Sequence, residues 1–196
     1  MKRHRILVAS LLAPATVSAL SGAVRLHITP TVVLQKQADV IRATIPGATQ
    51  FFVRTVNVGR SDFERIREEG DFEPEEGDFK FYYGQDTGGN VVGVAFFSQV
   101  NNQHGPVEVG IAMNPDGSVR DAVVTKATVE TKPWVLTALK SGLTRRFRGM
   151  HAGDDARAAL DGLSRSELGE MPYYMASVVT RAVEQGLVLY DVLYTP

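Results

Sequence analysis

The chain has 196 residues, a formal net charge of −1 and no cysteine. That balance gives no reason to expect a nucleic acid partner, and the missing cysteines exclude disulfides, thiolate metal sites, c-type haem attachment and cysteine nucleophiles. The length suits one membrane anchor followed by one domain of ordinary size, with enough apolar content for a core.

Met1-Lys2-Arg3-His4-Arg5 is a basic cluster ahead of an uncharged stretch, residues 6–24. That stretch is close to the ~20 residues a membrane-spanning helix needs. Basic residues ahead of a span keep the N-terminus cytoplasmic and send the following chain outward. A cleaved signal peptide fits the same residues, with Val17-Ser18-Ala19 as the small-residue cleavage site, so two readings stand here. Pro14 would kink a retained helix, a cost that neighbouring helices offset inside a complex.

Thr29 reads as a helix N-cap with Pro30 in the first turn. Val33, Leu34, Ala38, Val40, Ile41 and Ile45 then approximate one helical face, ending at Pro46-Gly47. Residues 51–56 read as a short strand. Residues 61–78 are acidic and broken by Gly70, Pro74 and Gly77, which predicts a solvated loop pinned by Phe72 and Phe79. Their spacing does not match a calcium loop, which needs oxygen ligands at alternate positions. A docking surface for a basic partner such as a cytochrome is the sharper reading.

Residues 80–83 and 91–100 predict strands joined across Asp86-Thr87-Gly88-Gly89-Asn90. The next hairpin is the clearest signal in the chain. Val107, Val109, Ile111 and Met113 alternate onto one face. Asn114-Pro115-Asp116-Gly117 then turns the chain in a two-residue reversal, with Gly117 taking the positive φ. Residues 119–125 return and lead to Glu130-Thr131, expected as an exposed polar pair at a strand exit. A helix begins at Trp134, Arg145, Arg146 and Arg148 surround Phe147, and residues 154–163 predict a short helix. Met175, Val178, Val179, Ala182, Val183 and Leu187 share one face of a C-terminal helix. Residues 187–194 are apolar enough for a final strand or a buried helix end. The sum is an α+β domain, an antiparallel sheet packed with helices, behind one N-terminal transmembrane helix. Residues 1–28 form the anchor and 29–196 the domain.

Few residues offer chemistry. His4, His27, His104 and His151 have no pair at helical or hairpin ligand spacing, so no metal site is expected. No glycine pattern forms a dinucleotide fingerprint or P-loop, and no serine sits in a nucleophile elbow. No catalytic residues are therefore expected, and no catalytic activity of the chain's own.

The run Gly105-Pro106-Val107-Glu108-Val109-Gly110-Ile111, the Asp116-Gly117-Ser118-Val119 turn and the later Glu130-Thr131 resemble the FMN-binding domain of the Rnf complex G subunit and of the sodium-pumping NADH:quinone reductase C subunit. The resemblance implies a membrane anchor, an extracytoplasmic domain, and Glu130 and Thr131 as the residues beside a flavin ring. The family's Ser/Thr-Gly-Ala-Thr flavin-attachment motif is absent. Gly169-Glu170-Met171-Pro172 stands where it belongs, and proline has no hydroxyl to esterify. The family's His-x-Glu-Thr-Pro-Gly-Leu-Gly is replaced by Thr128-Val129-Glu130-Thr131-Lys132-Pro133-Trp134, and a bulky Trp134 takes the place of flexible glycines. Trp134 either fills the vacated space or stacks on a flavin held without a covalent bond. Arg145, Arg146 and Arg148 form either a solvated basic helix end or a site for a flavin phosphate or anionic lipid. Tyr173 and Tyr174 are expected as core or interface aromatics.

The expected role is a membrane-anchored accessory or structural subunit of a multi-subunit electron-transfer complex, of respiratory or photosynthetic reaction-centre type. It would be a single-pass protein of the inner membrane, with its C-terminal domain in the periplasm. Its partners would be other membrane subunits, such as a cytochrome, and the bilayer, with no cofactor. The alternative is a redox carrier binding FMN noncovalently.

Overall fold

The computed structural model describes residues 29–70, 72–74 and 77–194. Six strands form one antiparallel sheet in the order β1-β6-β5-β4-β3-β2. They are β1 (Thr31–Val33), β2 (Gln50–Asn57), β3 (Asp78–Gln85), β4 (Val91–Asn102), β5 (Gly105–Met113) and β6 (Val119–Thr128). The last five run as a meander, and β1 adds to the far edge against β6, Thr31 facing Thr128. One face of the sheet carries the core. Val94, Phe96, Val107, Val109, Ile111 and Met113 lie there under the 25-residue helix α5 (Glu170–Tyr194), which brings Met175, Val178, Val179, Ala182, Val183 and Leu187. The other face carries α1 (Gln37–Thr44) over Ala95 and Ala112. Among the described residues no helix is long and apolar enough to cross a membrane. The expected span, residues 6–24, lies outside them.

The α+β class with its antiparallel sheet stands as read from the sequence, with several local corrections. Thr29 and Pro30 do not open a helix. Thr31-Val32-Val33 is a β-branched run that suits a pleated ladder, and it pairs with β6 before α1 begins at Gln37. The supposed acidic loop is half helix: α2 covers Arg60–Gly70. Its charged residues are good helix formers, Asp62 accepts from the Gly59 N–H at 2.9 Å in capping-box fashion, and Ile66 is fully buried as its anchor. Phe72 and Phe79 do pack against the core.

The turn after β5 is a three-residue loop rather than a two-residue reversal. The Asn114 N–H bonds to Ser118 O at 2.8 Å and the Gly117 N–H to Asn114 O at 3.0 Å, with Gly117 at φ +82°. Residues 154–163 hold a 3-10 turn, Ala156–Leu160, in place of an α-helix. Residues 187–194 are the end of α5, where Tyr190 stacks on Phe96 at 5.8 Å and on Tyr194 at 4.8 Å.

Candidate functional site

The hairpin register brings the candidate residues together at one end of the sheet. The turn between β4 and β5, the exit of β6, the start of α3 (Lys132–Lys140) and the first turn of α5 meet there. In the first of these, Asn102 Oδ1 accepts from the His104 N–H at 2.9 Å, and Asn102 Nδ2 donates to Gly105 O at 2.6 Å. Gly105 sits at φ +98°, and a Cβ there would lie 2.5 Å from Thr128 Cγ2. Backbone conformation and lack of room both require glycine at this point.

This turn aims His104 at Glu130, Nδ1 to Oε1 at 3.0 Å. The Gln103 amide nitrogen lies 3.1 Å from Nε2. The Glu130 carboxylate can only accept, so Nδ1–H is the donor of the pair. The second Glu130 oxygen accepts from the Thr29 hydroxyl at 3.3 Å. The imidazole packs edge-on to Trp134 at 5.4 Å and to Tyr174 at 6.1 Å. Trp134 and Tyr174 are themselves half-buried against the core.

Glu130 and Thr131 are not the exposed pair that the sequence suggested. Glu130 is exposed at its carboxylate, whereas Thr131 is fully buried. Thr131 Oγ1 accepts from the Thr128 N–H at 3.1 Å and lies 2.9 Å from Thr128 Oγ1, which in turn accepts from the Thr131 N–H at 3.1 Å. The Thr128 hydroxyl also donates to His104 O at 3.1 Å. This reciprocal pair splices the end of β6 to the start of α3, and Thr131 turns no polar group outward. The difference arises because the chain turns at Val129 straight into a helix, so the second residue of the pair points back under the sheet.

Arg146, Arg148, Tyr173 and Ser164 are also engaged within the domain. Arg148 pairs with Asp121 at 3.2 Å and Arg146 donates to Asp161 O. Tyr173 lies under the Arg165 guanidinium at 5.0 Å. Pro172 sits in the first turn of α5, where a missing N–H costs nothing, and Ser164 accepts from the Glu167 N–H at 3.4 Å. Among the described residues no group of three or more His, Asp or Glu is placed to hold a metal ion. One surface groove is lined by Asn57, Arg60, Glu64, Arg67 and Glu73 and contains none of Glu130, Thr131 or Trp134.

Sequence spacing alone passed over His104. Its partner is 26 residues away, and the signal lay in the hairpin itself. Pairing Met113 with Val119 and Glu108 with Lys126 carries His104 to Glu130 four residues further out.

On the opposite face, Glu108 is buried yet charged-paired. It accepts from Lys126 Nζ at 2.7 Å, from the Thr125 hydroxyl at 2.7 Å and from Gln37 Nε2 at 2.9 Å. Burial pushes its carboxyl up, but these three donors outweigh it and hold the group below its ordinary 4.5.

The described residues thus define an α+β protein whose candidate site is a His–Glu pair walled by two aromatic rings. Comparison with protein-family models, with curated proteins and with solved structures finds no match to this chain.

Proposed function

We propose that the chain is a membrane-anchored accessory subunit of a multi-subunit electron-transfer complex, respiratory or of photosynthetic reaction-centre type, built on an FMN-binding-like domain without covalent flavin. One observation carries the reading: the segment that would lie beside a flavin ring is engaged from within. Glu130 is held by His104 and Thr29, Thr131 is buried against Thr128, and Trp134 packs on the imidazole. A flat ring laid on this segment would have to displace those contacts. The position of the lost attachment motif adds support, since a hydroxyl is absent from Pro172 and the Ser164 hydroxyl is used in capping.

In this reading residues 6–24 cross the inner membrane once and the domain faces the periplasm. Its docking surface for a cytochrome or another basic neighbour is α2 and the acidic residues after it. Purification in mild detergent tests the proposal through the absorbance spectrum, the intact mass and the co-purifying subunits. The expected result is no flavin absorbance, no mass adduct and recovery with larger membrane subunits. A mass increase matching FMN on the denatured chain would overturn it. Stoichiometric flavin released on denaturation would establish the noncovalent carrier instead.

A further inference from the structure

Strand β2 closes one side of the sheet, and among the described residues no strand pairs with its outer edge. Its eight residues face β3 one for one, without a bulge. Two bonds fix the direction of its backbone groups: the Val58 N–H donates to Gly77 O at 3.5 Å, and the Asp86 N–H to Asn90 O at 3.0 Å. In an antiparallel ladder both polar groups of a residue point the same way, and the direction alternates along the strand. Even-numbered residues of β2 therefore bond β3, while Phe51, Val53 and Thr55 turn N–H and C=O outward.

The side chains on this edge are apolar on both faces. Phe51 and Val53 lie on the α1 face, 40% and 54% exposed, and Phe52 lies on the α5 face, 41% exposed and stacked on Tyr83 at 5.4 Å. The devices that guard natural edges are missing: there is no proline, no lysine and no bulge, and the strand is not short. Its one charge, Arg54, is folded back onto the domain, donating to Tyr194 O at 3.3 Å with its guanidinium 5.8 Å from the Tyr194 ring. The opposite edge, β1, is only three residues long.

We propose that β2 is a homodimer seam whose occupant is β2 of a second copy, antiparallel about a twofold axis at Phe52. The outward groups favour twofold registers centred on residue 52, 53 or 54, because these engage two or more of Phe51, Val53 and Thr55 with one another. Charge decides among them. Centring on 54 sets Arg54 against Arg54, and centring on 53 sets Phe52 against Arg54. Centring on 52 sets Phe52 against Phe52 and Phe51 against Val53, with Arg54 beside the neutral Gln50; the Thr49 N–H is held by Gln85 O at 2.7 Å, so the open ladder groups of this register are those of Phe51 and Val53. Apolar groups then meet apolar groups on both faces, and the two cations stay apart. One strand edge is small beside the ~800 Å² per partner of a standard interface, so the dimer forms with rising concentration. This inference is independent of the flavin question.

The test uses the full chain in detergent, whose lack of cysteine makes single-cysteine variants clean reporters. In this register the two residues 52 are directly opposed with Cα atoms ~4.5 Å apart, within disulfide reach. Residues 56 of the two copies are eight positions apart, about 26 Å along the strands. Mild oxidation is expected to yield at least tenfold more covalent dimer from Phe52→Cys than from Val56→Cys. Val53→Pro removes one outward N–H and leaves the bonds to β3; sedimentation should show association weakened at least tenfold. Equal cross-linking from both cysteine variants, a wild-type chain that stays monomeric throughout the series, or a dimer indifferent to Val53→Pro would overturn the seam.

Discussion

Replacing Thr131 by valine separates a residue that holds the fold from one that waits for a ligand. The substitution is nearly isosteric and keeps the methyl group in place, so its effect isolates the hydroxyl. In the structure that hydroxyl accepts from the buried Thr128 N–H and bonds the Thr128 hydroxyl. Thr128 Oγ1 keeps its contacts to the Thr131 N–H and His104 O, so one buried donor is left without an acceptor. An unsatisfied buried group costs about 1–3 kcal/mol, and the lost hydroxyl pair about 1 more. In a domain of this size about 2–4 kcal/mol corresponds to a fall in melting temperature of roughly 5–12 °C. Thr131→Ser keeps the hydroxyl and loses one methyl, costing about 1 kcal/mol. The neighbouring Glu130→Ala breaks a half-exposed pair worth under about 1 kcal/mol. Thermal melting followed by circular dichroism should therefore rank valine well below serine and alanine. A Thr131→Val protein melting within a degree or two of wild type would mean that the hydroxyl is not engaged as described, and the argument for a sealed segment would fail with it.

Val179→Asp places an unpaired carboxylate at a position with no exposure under the sheet and should abolish cooperative melting; a variant that still melts cooperatively near the wild-type temperature refutes the packing of α5. At Gly186 a Cβ would lie 2.3 Å from Ile111 Cδ1, so Gly186→Val should cost about 1–3 kcal/mol through overpacking, read from urea midpoints. The lowered Glu108 carboxyl contributes stability that is complete above its ordinary 4.5 and is lost as pH falls through its lower folded value. Glu108→Gln should accordingly flatten the acid limb of the stability curve, and an unchanged acid limb would count against the cluster. Burial, with Tyr194 beside it, pushes the Tyr190 phenol up to about 12. The unfolded chain sheds that proton near 10, so stability should fall between pH 10 and 12, and Tyr190→Phe should lessen the fall.

The meander was legible because its signals were local. Alternation through Val107, Val109, Ile111 and Met113 marks a strand with one buried face, and the residues at 114–117 can only be a turn. The α5 stripe from Met175 to Leu187 was equally plain. What misled were segments where tertiary contacts override local pattern. Thr31-Val32-Val33 also fits a helical stripe, and only the waiting edge of β6 makes it a strand. The acidic run hid α2 because its single strong anchor, Ile66, is flanked by charges and followed by Gly70 and Pro74. Of the site, the family resemblance points to Glu130 and Trp134, but it does not give their environment. Whether a side chain at a strand exit faces water or the core depends on the angle at which the next helix leaves, and no periodicity encodes that angle. His104 was missed because it was judged by its distance from other histidines rather than by the register of its own hairpin.

The position of β1 has a consequence for the order in which the domain is made. Strands β2 to β6 each pair with a neighbour close in sequence, so each hairpin closes at small loop-entropy cost. β1 pairs only with β6, Thr31 against Thr128, and that ladder has no partner until nearly a hundred further residues have been added. Among the described strands, the first to be synthesised is thus the last to be placed. Until it docks, Val32 and Leu34 have no seat, β6 is an open edge, and Glu130 lacks its contact with Thr29. The growing chain therefore passes through a stage with an unpaired strand on each side of its sheet, when capture by another nascent copy competes with completion of the fold.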